Sequence, residues 1–233
     1  MKRSFIIIVF LALATMSGCL VSSLHPFFKQ KDKFYDPAMV GYWMDGDSCI
    51  WTIEPNQVME QFMGNSRTDS TYHIRYYEED DKPGLFTGTL FQIKGVNYVD
   101  FYPEPHEEHC VNDFACWHHV PTHTLARVQY NKDSILLYWF AEEWLTELFE
   151  QKRIRIKHET NELPELTRQI LTASTDELQM FIKKYVTEPK TTGEVEKVFE
   201  RGYTDDQDAY GVFLKLKPYD GPLPGKQARK VSP

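Results

Sequence analysis

The stretch that most restricts the fold of this 233-residue chain is Phe86–Pro103, whose sequence FTGTLFQIKGVNYVDFYP predicts two β-strands joined by a tight turn. Side chains two residues apart share one face of a strand, and apolar residues occupy both faces of this pair. Gly95 supplies the positive φ that a two-residue hairpin turn requires. Pro103 has no amide hydrogen to donate and is predicted to end the second strand. Because such a ribbon is unstable alone, other strands and helices must cover it.

Most of the remaining chain consists of short runs with period-two alternation, separated by turn residues. Strands are predicted over 40–44, 49–54, 57–63, 71–79, 120–130, 134–140, 153–158, 168–172 and 210–217, with polar connections over 65–70 and 161–166. Helices are predicted over 141–151, over 175–186 behind a Ser174 and Glu177 capping box, and over 194–199. Successive antiparallel strands without crossover helices predict a mainly β (α+β) fold. The expected architecture is an antiparallel barrel or strongly curled sheet with two or three helices toward the C-terminus.

The first 18 residues have the pattern of a secretory signal peptide. Two basic residues precede the uncharged apolar run Phe5–Met16, and small residues follow it. The run is too short to span a bilayer comfortably, which takes about 20 apolar residues. Cys19 comes next, and Met16-Ser17-Gly18-Cys19 resembles the lipobox of bacterial lipoproteins. The resemblance implies fatty acyl chains, such as palmitate, on the thiol and amine of Cys19, whereas the alternative is an ordinary signal peptide.

This leader predicts a protein of the bacterial cell envelope, lipid-anchored to a membrane and exposed to the periplasm or the cell surface. The expected organisation is a signal peptide over 1–18, a tether over 19–38, one β domain with C-terminal helices over 39–217 and a disordered tail over 218–233. Loss of Lys2 and Arg3 with the leader changes the formal charge from −8 to −10. So acidic a chain is not expected to bind nucleic acid, or anionic lipid headgroups by charge.

Three cysteines remain after Cys19, so at least one thiol is left unpaired. An exported protein folds in an oxidising compartment, where pairing is favoured. Cys110 and Cys116 enclose a short loop and are the candidate disulfide, which would leave Cys49 reduced and buried.

The segment 104–123 is the richest in chemistry, since it holds five of the eight histidines and two cysteines. The candidate zinc or copper ligands are His106, His109, His118 and His119, although their spacing matches no specific metal motif. The competing interpretation is an exposed loop pinned by a disulfide, with solvated histidines. The two interpretations exclude each other in part, because disulfide-bonded cysteines have no thiolate to offer a metal. The interpretation favoured here requires no cofactor.

Asp100 and His123 are the candidates for acid–base chemistry. A carboxylate between Val99 and Phe101 must find a partner if it points inward, such as Arg127 or a backbone amide. A small hydrolase would need both side chains in one cleft, whereas a structural role for each is the favoured interpretation. The chain has no phosphate-binding glycine loop and no GxSxG motif, so it is not expected to be an enzyme.

The many aromatic side chains allow two opposite predictions for a barrel. They could line a pocket for a small apolar or sugar-like ligand. They could equally fill the interior, as small barrels generally require. The aromatics concerned are Tyr42, Trp43, Trp51, Tyr72, Tyr76, Phe91, Tyr98, Phe101 and Trp139.

Several short motifs in a fixed order resemble a group of uncharacterised bacterial envelope lipoproteins with a lipocalin-like β-fold. The motifs are Gly41-Tyr42-Trp43, Leu90-Phe91, Tyr98–Pro103, Pro121-Thr122-His123, Trp144-Leu145 and Leu171–Gln179. The resemblance implies a lipocalin-like barrel and a non-catalytic role in binding or envelope interaction. These are packing and turn residues, so they imply no catalytic site. The resemblance does not include 104–118 or the chain after residue 186.

Overall fold

The computed structural model describes residues 20–59, 66–78, 82–104, 119–140, 142–163, 166–186 and 213–224. The strands are β1 (Ser22–Ser23), β2 (Gly41–Met44), β3 (Ile50–Met59), β4 (Ser66–Tyr77), β5 (Gly84–Ile93), β6 (Val96–Pro103), β7 (His123–Tyr130), β8 (Ile135–Trp139), β9 (His158–Leu163), β10 (Leu166–Leu171) and β11 (Phe213–Pro218). The helices are α1 (Glu142–Glu150) and α2 (Thr175–Phe181), which continues as a π-helical turn over Ile182–Val186. No described helix has the length and apolar character to cross a membrane.

Eight strands close an antiparallel barrel in the order β2-β3-β4-β5-β6-β7-β8-β11, with β11 returning to β2. Closure depends on the β6–β7 pairing, in which Tyr98 lies opposite Arg127. Strand β1 pairs with the start of β7 and with β10, and thereby attaches the β9–β10 hairpin to the barrel. The predicted mainly β fold is confirmed, and the closed barrel is consistent with a lipocalin-like architecture.

The hairpin of β5 and β6 forms as the sequence predicts. Its register runs from Phe86 opposite Pro103 to Ile93 opposite Val96. Lys94 and Gly95 form the turn with φ values of 51° and 81°, so both central residues have the left-handed conformation of a type I′ turn. The turn matches the twist of the two strands, which fixes the register and therefore which side chains face inward.

Large side chains fill the barrel interior. The inward set comprises Met39, Trp43, Trp51, Ile53, Tyr72, Ile74, Leu90, Val99, Phe101, Ala126, Val128, Ile135, Leu137 and Leu216, all buried. Gly88 belongs to this layer, because a Cβ placed there would lie 2.5 Å from Ile74 Cδ1. Of the two predictions for the aromatic residues, a ligand pocket or a filled interior, the described residues agree with the filled interior.

A second core lies on the outer face of β5–β8, beneath the helices and the N-terminal segment. It is built around Phe27, Phe91, Leu125 and Phe140, all at most 1% exposed. Helix α2 contributes Leu178, Phe181 and Ile182 to this core, and its predicted capping box is present. The two cores explain why both faces of the central hairpin are apolar: one face lies inside the barrel and the other beneath the helices.

The predicted tether over 19–38 is wrong for residues 20–38, which we call the strap. The strap packs on the barrel: Val21 and Phe27 are fully buried, and Val21 N donates to Phe140 O. Further along, the backbone of Lys33 forms an isolated antiparallel β-bridge with Phe91, and Phe34 N donates to Leu90 O. The mixture of lysines, aspartates and prolines suggested irregular chain, but irregular chain can still be buried when its apolar residues meet an open core.

Element boundaries differ from the sequence-based ones in several places. Residues 66–70, predicted as a loop, extend β4, while 57–59 extend β3 rather than starting a new strand. The strand predicted over 153–158 lies later, at β9, and 161–166 belongs largely to the β9–β10 hairpin. Polar residues pair here because β10 lies beside β1, a neighbour that the sequence pattern did not reveal. The predicted tail begins with described residues, since Tyr219 N donates to Tyr42 O.

Candidate functional site

Asp100 and His123 meet on the outer wall of the barrel. Asp100 lies on β6 and is 1% exposed, and its Oδ1 lies 2.7 Å from His123 Nδ1 on β7. Its Oδ2 accepts the backbone amide of Phe27 at 2.9 Å. The His123 ring also stacks on Tyr102, with 4.4 Å between ring centroids. The backbone donor predicted for Asp100 is thus present, whereas Arg127 lies over the Tyr138 ring instead.

The distance between these two side chains would suit the acid and base of a hydrolase, but the neighbouring groups hold the strap in place. Ser23 lies directly opposite His123 in the β1–β7 ladder, where a nucleophile could sit. Its hydroxyl is fully buried and donates to the carbonyl oxygen of His25 at 2.8 Å, so it is not activated by the imidazole. Asp100 uses one carboxylate oxygen for the strap and one for His123. The arrangement fastens the strap to two barrel strands.

A row of polar side chains crosses the outer wall at the same level. Register places Glu54 opposite His73, His73 opposite Thr87, and Thr87 opposite Tyr102. The next position along the row is His123 on β7. The sequence signal for this row was the period-two alternation in β3 and β4, but the row itself required the strand register.

The β3–β4 part of this row borders an open cleft of about 550 Å³, lined by Glu54, Pro55, Asn56 and His73. Glu104 Oε1 lies 2.8 Å from His73 Nδ1 and also accepts the Thr87 hydroxyl.

An ion pair fixes Glu54, at the β3 end of the same row. Arg75 donates to Glu54 at 2.6 Å. Asn56 Nδ2 donates to the Thr71 hydroxyl, so the carboxylate, the amide and the imidazole of the cleft all have positions set by neighbouring side chains. Such groups hydrogen-bond polar ligands.

The strap also closes one mouth of the barrel through Asp36. Its backbone amide and carbonyl both bond to the Tyr72 hydroxyl, at 2.8 and 2.9 Å, and its Oδ2 accepts the Tyr130 hydroxyl. Tyr35 stacks on Tyr72. Burial, the largest cause, raises the pKa of Tyr72 to about 12 and also raises the pKa of Tyr130. The Tyr72 hydroxyl accepts one hydrogen bond and donates another, the Tyr130 hydroxyl donates one, and the raised pKa values keep both hydroxyls protonated.

Cys49 is buried and reduced, as the sequence predicts. Burial, the largest cause, raises the pKa of its thiol, so the reactive thiolate is disfavoured. Nearby, Asp45 accepts from the amide of Cys49 and from the indole of Trp51 and thereby fixes the β2–β3 turn. This cysteine is a packing residue.

Several predicted site residues lie outside the described part of the chain. They are Cys19, His106, His109, Cys110, Cys116 and His118. His119 is exposed where the described chain resumes. Among the described residues, no group of three or more histidine, cysteine, aspartate or glutamate side chains is placed to hold a metal ion.

Comparison with known proteins identifies no relative. No protein-family model, no curated protein and no solved structure matches the chain.

Proposed function

We propose that this protein is a membrane-anchored bacterial envelope lipoprotein that serves as a non-catalytic binding module. Its anchor is the acylated Cys19, and its body is the filled barrel. The observation that carries the proposal is the packing of the chain directly after that cysteine. Val21 is fully buried and β1 begins at Ser22, so acyl chains on Cys19 hold the barrel itself close to the membrane surface.

A ligand site on the outer wall of the barrel agrees with the packing of the interior and with the polar side chains of the wall. The filled interior favours a ligand site on the wall over one inside the barrel. The cleft of Glu54, Asn56 and His73 is the candidate, and its hydrogen-bonding groups suit a hydroxyl-rich, sugar-like ligand better than an apolar one. The Ser23 hydroxyl opposite His123 donates to the carbonyl oxygen of His25 and not to the imidazole, which favours binding over hydrolysis at this place.

Cell fractionation tests the anchor. The full chain and its Cys19→Ser variant are expressed in a bacterium, and membrane and soluble fractions are compared by immunoblot. The parent is expected in the membrane fraction and the variant in the soluble fraction, because stable anchoring requires the acyl chains. Equal distribution of the two proteins would contradict the proposal. A Cys49→Ser variant is the matched control and should behave as the parent does.

Ligand titration tests the cleft. Binding of soluble oligosaccharides and of a fatty acid is measured for the parent, for an Asn56→Ala/His73→Ala variant and for a Gln129→Ala control, an exposed polar position on β7. The proposal predicts oligosaccharide binding that the double variant loses and the control retains. Binding of the fatty acid instead, unchanged in both variants, would place the site elsewhere.

A second candidate function is metal binding by 104–123, and one observation favours it. Glu104, where the segment leaves the barrel, lies 2.8 Å from His73, and His123, where it rejoins the barrel, lies 2.7 Å from Asp100, so imidazoles and carboxylates meet at both described ends. Native mass spectrometry with zinc or copper would compare the parent with a variant in which His106, His109, His118 and His119 are alanine. Uptake lost in that variant, but kept when His25 and His158 are replaced, supports metal binding. A parent that takes up no metal contradicts it.

A further inference from the structure

Tyr42 differs from the other aromatic residues that the sequence offered as candidates to line a pocket. Trp43 and Trp51 belong to the filled interior and are at most 7% exposed. Tyr42 is 40% exposed, and it is the aromatic one among the four exposed large apolar side chains of the described residues. A surface aromatic ring of this kind offers a flat apolar face to a ligand.

Strand register places Tyr42 on the outer wall, next to a residue of the cleft. Trp43 pairs with Trp51 inside the barrel, so Tyr42, which pairs with Thr52, lies on the outer face. Glu54 follows Thr52 by two residues and shares its face, so Tyr42 and Glu54 are diagonal neighbours on paired strands. Such neighbours typically lie about 7–8 Å apart, within reach of an aromatic side chain. Tyr42 therefore lies on the β2 side of Glu54, which lines the cleft.

An ion pair that a ligand can reach lies beside Tyr42. Arg75 pairs with Thr52 across the β3–β4 ladder and donates to Glu54 Oε2 at 2.6 Å. The side chains of Arg75 and Glu54 are 32% and 40% exposed. Their outward groups are guanidinium donors and carboxylate acceptors, which suit the hydroxyl groups of a ligand. Thr52, between Tyr42 and Arg75, is 1% exposed, so the wall is closed between them.

The backbone holds Tyr42 in a paired strand. Strand β2 pairs with β3 over Gly41–Met44, and Tyr219 N donates to Tyr42 O at 2.8 Å on the other side. The indole of Trp43 donates to the carbonyl oxygen of Met39, which fixes the start of the same strand. A tyrosine on a fixed strand loses little conformational freedom on binding, so its contact area contributes efficiently to affinity.

We propose that Tyr42 is a stacking platform for a sugar ring bound at the cleft. The apolar C–H face of a pyranose lies on the Tyr42 ring, and its hydroxyl groups bond to Glu54, Arg75 and the polar side chains of the cleft. The inference rests on the proposed function and narrows the ligand class from hydroxyl-rich molecules to closed sugar rings. A pyranose combines an apolar face with a polar rim, which match an aromatic ring beside a polar cleft. An open-chain polyol has the hydroxyl groups but no rigid apolar face.

Calorimetric titration of the full chain tests the platform with probes that differ in ring closure. Cellotetraose and maltotetraose consist of pyranose rings, whereas sorbitol is an open-chain polyol. The parent is compared with Tyr42→Phe, with Tyr42→Ala and with the Asn56→Ala/His73→Ala cleft variant. The matched control is Met180→Ala, at another exposed apolar position, on α2. Circular dichroism shows whether each variant is folded.

The parent is expected to bind a tetrasaccharide and to bind sorbitol much more weakly. Tyr42→Phe keeps the ring face and should bind nearly as the parent does, whereas Tyr42→Ala should bind about tenfold more weakly or worse. Met180→Ala should bind as the parent does. Equal losses in Tyr42→Phe and Tyr42→Ala would mean that the hydroxyl and not the ring face binds, which overturns the stacking.

The cleft variant separates failure of this inference from failure of the proposed function. If Tyr42→Ala binds as the parent does while the cleft variant loses binding, the platform is overturned and the cleft stands. If Tyr42→Ala loses binding while the cleft variant keeps it, the cleft is overturned and the platform stands. A parent that binds neither tetrasaccharide overturns both, and a parent that binds sorbitol equally well overturns the platform alone.

Discussion

Asp100 Oδ1 lies 2.7 Å from His123 Nδ1, and this contact joins strands β6 and β7 beside the place where the strap crosses them. The other oxygen of the same carboxylate accepts the Phe27 amide. A residue that the sequence offered as a candidate catalytic acid therefore holds the strap to the barrel. The first prediction follows from these two hydrogen bonds of the Asp100 carboxylate.

Asp100→Ala is expected to lower the free energy of unfolding by about 3 kcal/mol, because it leaves the Phe27 amide and the His123 ring without their partner in a buried site. Urea denaturation measures the change. Asp220→Ala, at an exposed position, should change the free energy by less than about 0.5 kcal/mol. A loss at Asp100 no larger than that of the control would contradict the structural role.

The strap can be tested through two neighbouring phenylalanines. Phe27 is fully buried, whereas Phe28 is half-buried and packs against Phe91. Phe27→Ala should cost about 3–5 kcal/mol and Phe28→Ala about 1 kcal/mol, since the cost follows the apolar area lost and the cavity left. Thermal or urea unfolding of both variants measures this. A free tether would make both substitutions neutral, which is the contrary result.

The raised pKa of Tyr72 predicts that the protein loses stability at alkaline pH. Its pKa in the folded protein is raised from 10.0 to about 12 by burial, so the unfolded chain releases this proton first as pH rises. The contribution of Tyr72 is fully present below pH 10.0 and is lost between pH 10.0 and about 12. Urea midpoints measured across this range should fall less steeply for Tyr72→Phe than for the parent. A slope unchanged by the substitution would show that Tyr72 is not the group responsible.

Gly88 reports on whether the interior is filled. A methyl group there would meet Ile74 and Val99, so Gly88→Ala should cost about 1–3 kcal/mol by overpacking. Gly46→Ala is the matched control, because nothing lies within 4 Å of an added Cβ. Both are compared by chemical denaturation. A Gly88→Ala protein as stable as the parent would mean that the barrel has room at this level.

The sequence predicted the local pairings well because hairpins are encoded by neighbouring residues. The Lys94-Gly95 turn and the alternation on both sides of it were sufficient for β5 and β6. The same holds for β7 and β8 around Asn131, and for α2 behind Ser174. Each of these depends on turn or capping chemistry that acts within a few residues.

What the sequence did not predict depends on contacts between distant residues. The strap appears polar and irregular along the chain, and its burial follows only once Phe27 is seen to meet a core built from β5–β8 and α2. Barrel closure requires Tyr98 opposite Arg127, and the cleft requires Glu54 opposite His73. Spacing within a strand carries no information on which strand lies beside it.

The proposed function depends above all on acylation of Cys19, immediately before a strap that packs on the barrel. Mass spectrometry of the N-terminal peptide from protein purified out of membranes tests this most directly. The account predicts a mature chain that begins at Cys19 and carries the added mass of fatty acyl chains on that residue. A mature chain that begins elsewhere, or a Cys19 without added acyl mass, would contradict it.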